Sequence, residues 1–434
     1  MKRLSIAMLF SAAFLAACGG GNNGPPASPP ISITPQIAAP QSASTGSAPQ
    51  RLEPSFAGHP RTSVNFKTLY SFKGGKDGRT VAAGLIAVNG VLYGTTEEGG
   101  SATGCYSEGG FGCGTAFSVS TTGKEKVIYR SDTVTAFPAA PLVNVNGVLY
   151  GTAQGGSNSD GVIFKLTPSG SRYTASVLYN FKGGTDGAEP GAGLIDVNGV
   201  LYGTTTVGGR GSCVTGRAGC GTVFSVTTSG QESVLYRFKG GKDGGFPIAG
   251  LTDVNGVLYG TTFVGGSSGH KCIYTSTGCG TVFSVTASGQ ETVLHRFKGG
   301  DGSKADGALP EASLTDVGGT LYGTTTNGGG YYNSGIIFKL APSGTGYDIA
   351  YRFNAQPLAD PKAALIDVNG VLYGTAGGPI FSYDVASGGV ELVYESADSS
   401  NSLLYMDGTF YGTTENGGDG PCSGGCGSVF EFTL

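Results

Sequence analysis

Four acidic residues stand out in this chain because they interrupt a sequence that otherwise repeats itself. Glu97 and Glu98 follow one copy of the repeated unit, and Glu415 and Asp419 follow the last copy. A residue found in most copies builds the unit, whereas a ligand site needs residues that break the repeat. Brought together, these acids would form a pocket for a cation, an amine or a sugar hydroxyl, or a carboxylate pair that hydrolyses a glycan. The simpler alternative is a set of solvated loop carboxylates.

Basic and aromatic residues form two further candidate groups. The basic group lies beside cysteine-containing loops of two consecutive copies and consists of Arg210, Arg217, His270 and Lys271. Clustered positive charge of this kind attracts an anionic ligand. Tyr331 and Tyr332, in the next copy, can stack on a sugar ring or can serve as packing residues.

Other catalytic arrangements are poorly represented in the sequence. The chain has three histidines, His59, His270 and His295, which are too few for a multi-histidine metal site. No Gly-x-Ser-x-Gly segment stands out as a nucleophile elbow. We therefore expect no metal and no cofactor, and a binding protein is favoured over an enzyme.

The nine cysteines divide into Cys18 and four close pairs. The pairs are Cys105 with Cys113, Cys213 with Cys220, Cys272 with Cys279, and Cys422 with Cys426. In an exported chain such pairs are expected to form disulfides within their loops. Metal binding is the weaker interpretation, because none of these spacings is the C-x2-C of a zinc site.

The first 18 residues predict export. Lys2 and Arg3 precede an apolar run that is too short to span a bilayer, as in a secretion signal. The run ends in Leu15-Ala16-Ala17-Cys18, which resembles the lipobox of bacterial lipoproteins and implies lipidation of Cys18 and anchorage to a membrane. Because no aspartate follows Cys18, the likeness to Gram-negative lipoproteins implies the outer membrane. An ordinary signal peptide with an incidental cysteine is the alternative.

Composition separates a tether from a folded body. Residues 19–62 are rich in Gly, Pro, Ser, Ala and Gln and predict a disordered tether. The chain as a whole has 80 glycines, no tryptophan, 13% charged residues and a net charge of -4. That balance excludes nucleic acid as a partner, because phosphate binding needs a basic stripe. Residues 63–434 therefore predict a Gly-rich, all-β body.

The body repeats one phrase seven times, at a spacing of roughly fifty residues. Its clearest part is the tetrapeptide Leu-Tyr-Gly-Thr, or Phe-Tyr-Gly-Thr in the last copy. The copies begin at Leu92, Leu149, Leu201, Leu258, Leu321, Leu372 and Phe410. A single unit of this kind cannot bury its own apolar faces, so the units must stack or close into a ring. The glycine within the phrase predicts close approach of a neighbouring group to the backbone.

Each unit is predicted to form four short strands. A two-residue turn such as Asn198-Gly199 joins the first two strands, since Asn-Gly readily takes the positive φ angles of a type I′ hairpin. A second short turn, as at Ser229-Gly230, joins the third and fourth strands. Longer connections alternate with these turns, so all tight turns lie at one end of the strands and all long loops at the other. Seven such four-stranded antiparallel sheets predict a seven-bladed β-propeller.

The two ends of the body indicate how the ring closes. The chain ends in a third strand, Val429-Phe430-Glu431-Phe432, and the body begins with Phe66-Lys67-Thr68-Leu69, which matches a fourth strand. We therefore expect the N-terminal strand to complete the last blade. In the alternative frame each blade begins with that strand and no strand is exchanged.

Two sets of aspartates recur and are interpreted as structural. Asp196, Asp253, Asp316 and Asp367 precede the tight turn and predict local hydrogen bonds. Asp77, Asp186, Asp243 and Asp306 precede a glycine in the long loops and predict turn caps. For the second set, a ring of weak calcium ligands is the alternative.

The repeated pattern resembles a known family. Asn-Gly-Val-Leu-Tyr-Gly-Thr-Thr, then Gly-Gly, Cys-Gly-Thr-Val-Phe and Val-Leu-Tyr-Arg-Phe, is similar to the bacterial GloVer tandem repeat, and the unit looks like a distant kelch blade. The resemblance implies a propeller and no particular activity. We expect a surface-anchored binding or interaction module whose partner is an unknown protein or a glycan. The alternatives are a glycan-active enzyme that uses the loop carboxylates and a structural spacer of the envelope.

Overall fold

The computed structural model describes residues 64–434, apart from segments of the loops. The gaps are 101–104, 106–111, 157–158, 171, 214–218, 267–271, 273–276, 301–304, 331, 355–356 and 396–400. The predicted signal, Cys18 and the predicted tether all lie outside the described residues, and so do Arg217, His270, Lys271 and Tyr331.

The described body is a seven-bladed β-propeller, as the sequence predicts. β1 (Asn65–Ser71) belongs to blade 7, and blade 1 contains β2 (Ile86–Val88), β3 (Val91–Thr96), β4 (Thr115–Ser120) and β5 (Glu125–Arg130). Blade 2 contains β6 (Val143–Val145), β7 (Val148–Ala153), β8 (Val162–Ser169) and β9 (Arg172–Asn180). Blade 3 contains β10 (Ile195–Val197), β11 (Val200–Thr205), β13 (Thr222–Thr227) and β14 (Glu232–Arg237), and the short β12 (Gly208–Ser212) lies in its loop.

The remaining blades follow the same plan. Blade 4 contains β15 (Thr252–Val254), β16 (Val257–Thr262), β17 (Thr281–Thr286) and β18 (Glu291–Arg296), and a 3-10 turn (Gly241–Asp243) precedes it. Blade 5 contains β20 (Thr315–Val317), β21 (Thr320–Thr325), β23 (Ile336–Leu340) and β24 (Asp348–Arg352), with a loop ribbon of β19 (Gly307–Ala308) and β22 (Asn327–Gly328). Blade 6 contains β25 (Ile366–Val368), β26 (Val371–Thr375), β27 (Ile380–Asp384) and β28 (Val390–Tyr394). Blade 7 contains β29 (Leu404–Met406), β30 (Thr409–Thr414), β31 (Ser428–Thr433) and β1.

The tight turns have the predicted backbone geometry. In blade 3, Asn198 and Gly199 have φ angles of 55° and 81°, both in the left-handed region. Asp196 stabilises this turn, because its Oδ1 accepts the Gly199 N–H at 2.9 Å. Asp253, Asp316 and Asp367 make the same contact in their blades, so the prediction of local hydrogen bonds is confirmed for this set.

The ring closes by strand exchange. β1 pairs antiparallel with β31, and the strand order of blade 7 is β1-β31-β30-β29. The frame without exchange is therefore wrong. Further bonds cross the closure: Thr413 Oγ1 donates to the Ala83 carbonyl at 2.9 Å, and Thr80 N–H donates to the Cys426 carbonyl at 3.1 Å.

The repeated phrase has a physical explanation in blade 3. A Cβ placed on Gly203 would lie 2.7 Å from Phe224 Cζ and 2.8 Å from Leu194 Cδ2, so side chains approach the backbone as predicted. Thr204 Oγ1 donates to the Ala249 carbonyl of blade 4, and Thr205 Oγ1 bonds Thr222 Oγ1 within the blade. The glycine thus admits the core aromatic, and the two threonines tie the blade to its neighbour and to itself.

Phenylalanine pairs fill several seams between blades. The residue that follows a fourth strand packs edge-on against the third strand of the next blade, with ring centroids 4.9 to 5.2 Å apart. The pairs are Phe72–Phe117, Phe181–Phe224, Phe238–Phe283, Phe297–Phe338 and Phe353–Phe381. Such a pair contributes about 0.5–1.5 kcal/mol beyond the burial of its area.

Among the residues that the structure describes, no helix has the length and apolar character needed to cross a membrane.

Candidate functional site

Glu97 and Glu98 directly follow β3 and lie at the seam between blades 7 and 1. The Glu97 N–H donates to the Thr80 carbonyl at 2.9 Å, and Glu98 pairs through its backbone with Arg79. Arg79 and Thr80 lie in the loop that leads from blade 7 into blade 1. Strand exchange therefore places both glutamates beside the last blade, on the face that carries the long loops.

Glu97 and Glu415 interact electrostatically across this seam. Glu97 is partly buried, and this burial, followed by the charges of Glu415 and Glu98, raises the pKa of its carboxyl group to about 7. Glu415 directly follows β30, at the position in blade 7 that Glu97 holds in blade 1. The two residues come from opposite ends of the body and share one electrostatic environment.

Glu98 has a different environment from Glu97. Its Oε2 lies 3.1 Å from Arg79 Nε, and both side chains are partly buried. Burial raises the pKa of Glu98, and the positive charge of Arg79 opposes that increase. The role of Arg79 cannot be inferred from the sequence, because a single basic residue in a glycine-rich loop does not indicate which acidic residue it contacts.

The other residues proposed from the sequence are more dispersed. Asp419 is exposed in the long loop of blade 7. Arg210 lies on β12 and is exposed, while its carbonyl accepts the Cys220 N–H at 3.0 Å. Tyr332 is 60% exposed. Because most of the basic group lies outside the described residues, an anion site there remains a prediction.

The four predicted disulfides are present in the long loops. Cys105–Cys113, Cys213–Cys220, Cys272–Cys279 and Cys422–Cys426 are bonded. The Cys422–Cys426 bridge packs against the loop that enters blade 1, since a Cβ on Gly74 would lie 3.1 Å from Cys422 Sγ. Each bridge closes one long loop on itself, and the bridges fit an exported protein.

The second set of aspartates caps the long loops, as predicted. Asp77 Oδ2 accepts the Lys73 N–H at 2.8 Å, and Asp186 and Asp243 make the equivalent bonds. Each also accepts a tyrosine hydroxyl from the preceding fourth strand. Because protein donors already occupy these oxygens, the contacts favour capping over the calcium alternative. In the described part of the chain, no three His, Cys, Asp or Glu residues are grouped to hold a metal ion.

One seam departs from this arrangement. Between blades 4 and 5, His295 Nε2 lies 3.1 Å from Asp306 Oδ2, and the Tyr347 hydroxyl donates to the other oxygen of Asp306. His295 stacks on Tyr347 with ring centroids 3.5 Å apart. In the sequence His295 stands where Tyr236 stands in the preceding copy, and nothing there indicates its partners Asp306 and Tyr347.

Comparison with known proteins agrees with the repeat and the fold. The model of the Gloeobacter/Verrucomicrobia repeat matches residues 56–215 and 212–430. No curated protein sequence matches the chain.

Solved propellers resemble the chain at low identity. An extracellular domain of a one-component system from B. thetaiotaomicron matches with TM-score 0.50 and 10% identity, over 84% of this chain and 40% of that chain. Sqt1 from Saccharomyces cerevisiae matches with TM-score 0.48 and 11% identity, over 84% of this chain and 100% of that one. BamB from Moraxella catarrhalis matches with TM-score 0.46 and 10% identity, over 85% and 100% of the two chains. By its repeats, the chain belongs to the Gloeobacter/Verrucomicrobia repeat family.

Proposed function

We propose that this chain is a lipid-anchored binding module of the bacterial envelope whose ligand docks on the long-loop face, at the seam between blades 7 and 1. The convergence of Glu97 and Glu415 at that seam is the observation that carries the proposal. Carboxyl groups in such a place bind N–H and O–H donors. The ligand class is therefore an amine-bearing or polyhydroxylated molecule, such as a glycan or a basic segment of a protein.

The position of β1 supports this arrangement. β1 is the outermost strand of blade 7, and in each other blade the outermost strand follows the tight turn from the third strand. Asn65, the first residue of β1, therefore lies on the face of the tight turns. The chain therefore enters the body from the face opposite the long loops, and the proposed tether of residues 19–62 with lipidated Cys18 precedes that point in the sequence. Outer-membrane anchorage through Cys18 is part of the proposal.

A calorimetric titration of the exported protein tests the binding site. The probes are a neutral oligosaccharide, an amino sugar and a short oligolysine peptide, added to the unaltered protein and to the Glu97→Gln and Glu415→Gln variants. We expect at least one probe to bind with an affinity that falls about tenfold or more in both variants, which is roughly 1.4 kcal/mol. Glu395→Gln, an exposed glutamate after β28, is the matched control. Equal binding by all four proteins would place the site elsewhere, and no binding of any probe would favour the spacer role.

A glycan-active enzyme is the second candidate function. It is favoured by one observation, the raised pKa of Glu97 beside the charge of Glu415, because glycoside hydrolysis uses one protonated and one ionised carboxyl group. Release of reducing ends from an oligosaccharide, lost in the Glu415→Gln variant, would establish this activity. Binding without product release would support a binding module and not an enzyme.

A further inference from the structure

Three blade seams carry the same group of side chains, in which two carboxyl groups face one tyrosine hydroxyl. At the seam of blades 7 and 1, the Tyr70 hydroxyl lies 3.0 and 2.9 Å from the two oxygens of Asp77, and Glu125 of β5 faces the same hydroxyl. The seams of blades 2 and 3 and of blades 3 and 4 repeat this arrangement. Their groups are Tyr179, Asp186 and Glu232, and Tyr236, Asp243 and Glu291.

Counting hydrogens shows that each group is one donor short. The Tyr70 hydroxyl has one hydrogen, and the geometry assigns it to Asp77. An ionised Glu125 would add only acceptors. Its Oε1 is buried and has no hydrogen-bond partner among the described residues, and the same holds for the Oε1 atoms of Glu232 and Glu291. A buried acceptor that lacks a donor is costly, so the same deficit at three equivalent places calls for an explanation.

We infer that Glu125, Glu232 and Glu291 are protonated in the folded protein, and that the added proton completes a hydrogen-bond chain that joins the two blades at each of these three seams. Each glutamic acid donates its hydrogen to the tyrosine oxygen, and the tyrosine donates its own to the aspartate. The proton comes from solvent when the blades pack and returns to solvent when the glutamate ionises. No co-reactant is required.

The electrostatic surroundings agree with the inference. Burial, and after it the charge of Asp77, raise the pKa of Glu125 to about 7, against the opposing effects of Tyr70, Arg130 and Lys73. Glu232 and Glu291 have pKa values raised to about 7 for the same two reasons. The groups that oppose the increase are Tyr179, Lys182 and Arg237 around Glu232, and Tyr236, Lys239 and Arg296 around Glu291.

The seam of blades 4 and 5 is a natural comparison within the same chain. Tyr347 stands there at the glutamate position and His295 at the tyrosine position, and both contact Asp306. Among the described residues, Asp306 thus has hydrogen bonds to two side chains, and neither of them is a carboxyl group. Burial alone would raise the pKa of Asp306, but the bonds from His295 and Tyr347 lower it. At this seam, a residue that can carry a positive charge therefore stands in place of the tyrosine, and a tyrosine stands in place of the second carboxyl group.

The three protonated Glu–Tyr–Asp groups make the packing of the blades dependent on pH. Between the ordinary glutamate pKa of about 4.5 and a folded value of about 7, the folded protein binds more protons than the unfolded chain. The stabilisation is therefore complete below about pH 4.5 and is lost as the pH rises through about 7. At alkaline pH the glutamic acid of each group ionises, and its negative charge repels that of the neighbouring aspartate.

The test compares the full-length protein with a triple variant, Glu125→Gln, Glu232→Gln and Glu291→Gln, because an amide can donate to the tyrosine without ionising. Urea unfolding is followed from about pH 5 to about pH 8.5. We expect the triple variant to resist more urea than the parent at about pH 8.5. Proton uptake on refolding at about pH 6 should fall by about three protons per molecule. Glu395→Gln is the control, with no change in either quantity.

Infrared spectroscopy of the unaltered protein gives a second and independent readout. At about pH 6 we expect the carbonyl band of protonated carboxyl groups to be present in the folded protein and absent after unfolding in urea. Because Glu97 contributes to the same band, the measurement is repeated on the Glu97→Gln variant, where the band should persist; this readout holds even where the triple variant fails to fold. Absence of the folded-state band would overturn the inference, as would identical pH dependence of urea unfolding in the parent and the folded triple variant.

Discussion

At the level of single residues, Glu97 couples the candidate site to pH. Its pKa is raised to about 7 by burial and by the nearby Glu415, so its contribution to stability is complete below about pH 4.5 and is lost as the pH rises through about 7. We expect Glu97→Gln to raise the free energy of unfolding at about pH 8.5 by on the order of 2 kcal/mol and to change it little at about pH 5. Urea denaturation at the two pH values measures this difference.

Glu98→Gln is the matched control, because the Glu98 carboxylate lies 3.1 Å from Arg79 and removing its charge removes this ion pair. This variant is expected to gain nothing at about pH 8.5. If the two variants behave alike, burial and Glu415 do not govern the ionisation of Glu97.

Sequence reasoning located some of these residues and passed over others for a definable reason. Glu97 and Glu415 were found because they differ from the equivalent residues of the other copies. Glu125 recurs in three copies, so a rule that seeks departures from the repeat discards it. Its role depends on contact with Tyr70 and Asp77 of the preceding blade. Contacts between neighbouring copies cannot be inferred from the sequence pattern of one copy.

At the level of the strand, the glycine of the repeated phrase is a steric requirement. A Cβ on Gly203 would lie 2.7 Å from Phe224 Cζ, which is closer than packed carbon atoms approach. We expect Gly203→Ala to lower the free energy of unfolding by about 1–3 kcal/mol, because Phe224 must leave its position. Urea unfolding followed by far-ultraviolet circular dichroism measures the loss.

Gly330→Ala is the matched control for this substitution. Apart from its chain neighbours, no atom of the described residues lies within 4 Å of a Cβ built on Gly330, and its φ angle is outside the left-handed region. Its stability should stay within about 0.5 kcal/mol of the parent. A loss at Gly330 equal to that at Gly203 would show that chain flexibility, and not contact with Phe224, sets the need for glycine.

Most of the strand architecture could be predicted from local signals. The Asn-Gly turns, the apolar strands and the two unequal connections determine four strands per unit, and the unmatched ends indicate β1 as the closing strand. The loop ribbon of β19 and β22 was not foreseen, because Gly307–Ala308 and Asn327–Gly328 have no strand-like side chains. Their pairing depends on contact between the loops before and within the blade, and strand propensity does not predict such a contact.

At the level of the whole molecule, closure of the ring and formation of the candidate site are one event. β1 pairs with β31, Phe72 packs against Phe117 of blade 1, and the following loop supplies Thr80 and Arg79 to Glu97 and Glu98. Glu415 reaches this seam only because blade 7 is adjacent to blade 1. A chain unable to close would lack both the last interface and the proposed binding site.

Deletion of residues 1–72 tests this coupling. The shortened chain loses β1 and Phe72, leaves the β31 edge unpaired, and exposes Phe117. An open edge and a lost core aromatic are expected to cost about 5 kcal/mol or more and to promote aggregation. A chain that lacks only residues 1–63 keeps β1 and should match the full-length protein in urea unfolding and in light scattering. A 1–72 deletion that stays monomeric and unfolds at the same urea concentration as this control would show that blade 7 is stable with three strands.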